Sequence, residues 1–155
     1  MTTRIEVPEY IRRWMLATFK KGEDNVLIFG ENDDIYHIIA DVLARRPENA
    51  PMIDRGNLEF RLPSPRYGKN PRDYNYISPK GARYILRRLK SLFYISAHDF
   101  IYKKEKTGRC TIKEAVMLFM IHYDLDGTIT EDAIIKDFQR WRKKFCRTRE
   151  VENLA

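Results

Sequence analysis

The side chains with the clearest chemistry are cations that recur at helical spacing. Lys80, Arg83, Arg87 and Lys90, followed by Tyr94, lie three and four residues apart, which sets them as a basic ridge on one face of a helix. Just upstream, Arg66, Lys69 and Arg72 are interleaved with Tyr67, Tyr74 and Tyr76. Near the C-terminus, Lys136, Arg140, Lys143, Lys144 and Arg147 recur opposite an apolar stripe, and Thr130 stands at the start of the same helix. Lys and Arg neutralise phosphates, while tyrosines stack on bases or donate to phosphate oxygens. The bland alternative is that the tyrosines pin a loop to the body and the charges are solvated.

Other reactive residue types do not assemble. His37, His98 and His122 fall on separate predicted helices, without His-x-x-x-His or Ser/His/Asp spacing. Cys110 and Cys146 form no Cys-x-x-Cys pair, which argues against a zinc site or a disulfide framework. Ser64, within Pro-Ser-Pro, reads as a turn residue. No Walker or Gly-x-Gly-x-x-Gly sequence occurs. The expectation is a protein with no catalytic residue, no cofactor and no metal.

Asp124-Leu125-Asp126-Gly127-Thr128-Ile129-Thr130 resembles the nucleophile motif of the haloacid-dehalogenase superfamily, in which the first Asp attacks phosphorus and the second acts as acid/base beside magnesium. That family needs the motif at the end of a strand, and the preceding residues 111–121 read as a capped helix. A metal-dependent phosphohydrolase is therefore the third reading. Asp124, Asp126, Gly127 and Ile129 also have the relative spacing of a calcium loop, but His122 and Ala133 stand where an EF-hand needs acids. A polar helix–helix turn is the simplest account.

Residues 111–123 and 128–145, joined by a turn containing Gly127, have the proportions of a helix-turn-helix. Residues 129–142 resemble the terminal helix of small basic DNA-binding proteins of bacterial mobile elements and prophages. The resemblance covers about a quarter of the chain, and it implies a regulator or accessory factor that docks on duplex DNA. One departure stands out: Glu131 and Asp132 sit where a recognition helix meets the nucleic acid, and phosphates repel them.

The elements that must position these residues follow from periodicity and punctuation. A helix is expected from Pro8 to about Lys20, then a strand at 26–29 and a second helix capped by Asn32 and ended by Pro47 and Pro51. A half-exposed strand over 57–62 would pair with 26–29 as a hairpin-like ribbon. Residues 63–77 read as a basic, aromatic loop. A helix opens at Ser78-Pro79 and runs to about Lys104, with Gly81 and Ser96 as weak points. Two helices follow, each opened by a capping-box spacing, Thr111–Glu114 and Thr128–Glu131. The fold class expected is mainly α with a minor β element: one domain over 1–148, divided into parts 1–62 and 78–148 about the loop, and a frayed tail over 149–155.

Composition supports a folded chain. Of 155 residues 43% are hydrophobic, and no run is long enough for a transmembrane helix. The first residues lack the apolar core of a signal peptide, so a cytosolic protein is expected. The net charge of +7 is uneven: 1–54 carries −3, 55–90 carries +8, and 136–149 carries +6. Nucleic acid, duplex DNA before RNA, is the expected partner, and no membrane. The alternative is a protein-interaction adaptor that uses the acidic N-terminal third, its basic patches serving solubility.

Overall fold

The computed structural model describes residues 1–50, 55–64 and 68–154, with backbone alone over 146–154. The element order is β1 (Thr2–Ile5), α1 (Glu9–Thr18), α2 (Asp34–Val42), β2 (Ala44–Arg45), β3 (Leu58–Arg61), β4 (Tyr74–Tyr76), α3 (Pro79–Lys106), α4 (Ile112–His122) and α5 (Glu131–Leu154). The protein is mainly helical with a minor β element, as its periodicity predicts. Its contacts divide it into two compact units, Met1–Lys90 and Ser91–Ala155, so the boundary falls within α3 and not at the 63–77 loop. Among the described residues no helix is long and apolar enough to cross a membrane.

In the first unit β1 pairs antiparallel with β3. Thr3 and Ile5 face inward opposite Phe60 and Leu58, while Arg4 faces out and bridges Glu59 at 3.0 Å. This strict alternation is what a two-stranded ribbon with one buried face requires. The expected partner of β3 was 26–29. Against β3 that segment makes a one-residue parallel bridge at Leu27, whose N–H donates to the Glu59 carbonyl and whose carbonyl accepts from Arg61 N–H, both at 2.9 Å. The β1 strand pairs with β3 instead, and left-handed Asp24 and Asn25 (φ 54° and 60°) turn the chain so that Leu27 also bridges Lys21. Gly56 lies so close to Ile5 that a Cβ would sit 2.2 Å from its carbonyl carbon, so only glycine fits there.

The first helix buries Ile11, Trp14 and Met15, and α2 buries Ile35, Tyr36, Ile38 and Ile39. The N-cap of α2 is Asp33, not Asn32; its carboxylate accepts from Gly30 N–H at 2.8 Å. The helix stops at Val42, well before Pro47, because the chain turns extended at Leu43 to form β2. That strand pairs antiparallel with β4, which lies inside the segment expected to be a loop. Two short β pairs therefore replace the single ribbon.

The long helix α3 is unbroken across Gly81 and Ser96. Ser78 caps it, its Oγ accepting from Gly81 N–H at 3.0 Å. In the second unit, α4 is capped by Thr111 Oγ1, which accepts from Glu114 N–H at 3.2 Å. Ala115, Val116, Phe119, Leu125, Ile134 and Phe138 are fully buried there. Left-handed Asp124 (φ 54°) and Gly127 (φ 77°) make the turn between α4 and α5. The last helix continues to Leu154, through the tail expected to fray.

Candidate nucleic-acid interface

On α3, Lys80, Arg83, Arg87 and Lys90 are all exposed and share one face. The opposite side is fixed by burial of Ile85, Leu89, Phe93, Ala97 and Ile101, each with no exposed surface. Steps of four residues advance by about 40° around a helix of 3.6 residues per turn. The buried line therefore drifts, and by Ala97 and Ile101 it has reached the side on which the basic residues began. That drift ends the ridge. Tyr94, expected to extend it, is half-buried near Asp137, and desolvation first, then the Asp137 charge, raise its hydroxyl pKa above the usual 10.0. Tyr94 belongs to the packing of the second unit.

The ridge has two electrostatic peculiarities. No Asp or Glu lies between Asp73 and Asp99 in the sequence, so positive charge dominates this stretch of the chain. Lys80 also stands in the first turn of a long helix that has no acid there. A cation at that positive end is unfavourable by about 0.3–1 kcal/mol.

Other predicted cations are engaged elsewhere. Lys69 is bound into the body: its ammonium donates to the carbonyls of Ala40 (2.9 Å), Asp41 (3.3 Å) and Leu43 (2.9 Å), closing the C-terminal end of α2. A cation at a helix C-terminus satisfies orphan carbonyls and the dipole together, so Lys69 is a capping residue and not a free phosphate ligand. Lys69→Met should lower stability by about 1–2 kcal/mol in urea unfolding. The same variant should leave any salt dependence of nucleic-acid binding unchanged.

On α5, Lys136 pairs with Asp132 at 2.9 Å. Arg142, which the predicted set lacked, holds both oxygens of Glu105 at 2.8 and 3.0 Å. Arg140, Lys143 and Lys144 are exposed. Thr130, expected near bases, caps α5 by accepting from Ala133 N–H at 3.2 Å. The connection between α4 and α5 spans 123–130, longer than the roughly 3–4 residues of a DNA-binding helix-turn-helix. Arg66 and Tyr67 lie outside the described residues, as does the side chain of Arg147.

The Asp124 motif follows α4, a helix, and not a strand. Among the described residues no three His, Cys, Asp or Glu side chains are grouped to hold a metal ion. Asn adopts the left-handed conformation of Asp124 at least as readily. Asp124→Asn should therefore change the unfolding free energy by less than about 0.5 kcal/mol. Magnesium-dependent hydrolysis of a phosphomonoester by the wild type, lost in this variant, would overturn that expectation. The histidines are each occupied: His37 bonds the Glu31 carbonyl, His122 packs on Phe100 and Tyr123, and His98 bonds Asp137 while stacking on Trp141 at 4.7 Å.

The residues that sequence reasoning missed are Arg45 and Arg46. The guanidinium of Arg45 lies 5.3 Å from the centre of the Tyr74 ring, and that of Arg46 lies 5.7 Å from Tyr76. Arg46 Nε also donates to Asn75 Oδ1 at 3.3 Å. With Arg72 they line a groove of about 570 Å³ beside the β2–β4 pair. They sit in a net-acidic third of the chain, and only the pairing of β2 with β4 carries them to Arg72. Comparison with protein-family models, curated proteins and solved structures returned no match. Function must therefore be argued from the chain's own charge and geometry.

Proposed function

We propose that the protein is a non-enzymatic DNA-binding protein that docks on backbone phosphates through the α3 ridge. The observation that carries this reading is the exposed basic face of Lys80, Arg83, Arg87 and Lys90, which lies in a stretch of sequence without Asp or Glu. Such a face attracts a polyanion. The α5 face is secondary, because Lys136 and Arg142 are paired and Glu131 and Asp132 lie at its N-terminal end. A role as regulator or accessory factor of a mobile element, in the cytoplasm, fits a small basic protein of this kind. Titration with duplex and single-stranded DNA at two salt concentrations tests the reading. Binding that weakens steeply with salt supports it, and no binding at low salt rejects it.

A second reading, a protein-interaction adaptor, is favoured by the apolar surface of the second unit. Ile95, Tyr102 and Phe145 are 61%, 41% and 43% exposed around Trp141, and Ile121 on α4 is 73% exposed. Exposed apolar clusters of this kind mark protein contacts more often than solvent-facing surface. The acidic N-terminal third would then serve the same partner.

A further inference from the structure

The groove beside β2 and β4 is built for a compact anion. Arg45, Arg46 and Arg72 line it with Met1, Thr2, Asp73 and Asn75, so the charged side chains are three guanidinium groups and one carboxylate. The tyrosine rings beside Arg45 and Arg46, and the hydrogen bond of Arg45 to the Tyr74 side chain, restrict these guanidinium groups, and a guanidinium can grip two phosphate oxygens at once. Asn75 adds order, accepting from Arg46 and donating to the Arg72 carbonyl at 3.2 Å. A net charge of about +2 matches a phosphomonoester, at about −1.5 to −2 near neutral pH, better than an internal phosphodiester at −1. The ridge begins close by: Asn75 and Lys80 are five residues apart, so their Cα atoms are separated by at most about 19 Å.

We propose that this groove holds the terminal phosphate of a nucleic-acid strand whose following phosphates run onto the α3 ridge. The proposal rests on the DNA-binding reading and adds an end preference to it. The test measures affinity for one DNA strand carrying either a 5′-phosphate or a 5′-hydroxyl. The phosphorylated end should bind about tenfold more tightly, a difference of about 1.4 kcal/mol. The combined variant Arg45→Gln, Arg46→Gln, Arg72→Gln should erase that difference, weakening the phosphorylated end about tenfold more than the hydroxyl end. Arg72→Gln alone, which disturbs neither stack, should reduce it at least twofold and serves if the triple variant unfolds. Equal affinity of the wild type for both ends overturns the groove assignment and leaves the ridge standing. If neither strand binds, the DNA-binding reading falls, and a nucleoside 5′-monophosphate becomes the probe of the groove. Shifts of the Tyr74–Tyr76 amide signals that vanish in Arg72→Gln then support the phosphate site, and no shifts overturn it. Tighter binding of a phosphoserine peptide of equal charge than of the phosphorylated strand overturns the assignment to nucleic acid.

Discussion

Changing Arg83, Arg87 and Lys90 together to Glu should lower affinity for DNA by on the order of a hundredfold or more, with no loss of folding. All three side chains are exposed on one face of α3, away from the buried line through Ile85 and Leu89. Glu is as good a helix former as Lys or Arg. The melting temperature should therefore stay close to that of the wild type. Each phosphate contact removed should flatten the dependence of log K on log salt by about 0.9, so the slope itself reports how many contacts existed. Unchanged affinity and slope in a protein with wild-type circular dichroism would remove the ridge from the interface.

The largest effect on stability is expected at Phe119, which α4 presents to the core of the second unit. Its ring lies 5.7 Å from Phe93, 5.5 Å from Phe100 and 5.0 Å from Tyr123, and none of its surface is exposed. Phe119→Ala removes the shared member of these contacts and leaves a cavity between α3 and α4. The cost should be about 3–5 kcal/mol, a large part of the 5–15 kcal/mol typical of a whole domain. Urea unfolding followed by circular dichroism measures it, and hydrogen exchange at the amides of α4 and α5 should rise in parallel. A loss below about 1 kcal/mol would mean that neighbouring rings close over the gap.

What could be read in the sequence was what neighbours in the sequence decide. Helices α1, α3, α4 and α5 announce themselves through apolar residues three and four apart and through local caps at Ser78 and Thr111, because a helix satisfies its backbone within a few residues. The cap of α5 is Thr130, two residues after the expected Thr128. The basic ridge was legible for the same reason, since Lys80 to Lys90 share a face by spacing alone. The tertiary structure decided everything that depends on distant partners. The N-terminal residues became a strand because Leu58–Arg61, more than fifty residues away, offers an edge and a buried face to match. Lys69 left the set of phosphate ligands because α2 ends beside it with three unsatisfied carbonyls. Tyr94 left the ridge because a stripe of fours drifts around its helix until the second unit covers that side. Arg45 and Arg46 entered the candidate surface only when β2 met β4, since no local pattern marks two arginines that will stack on tyrosines about thirty residues away.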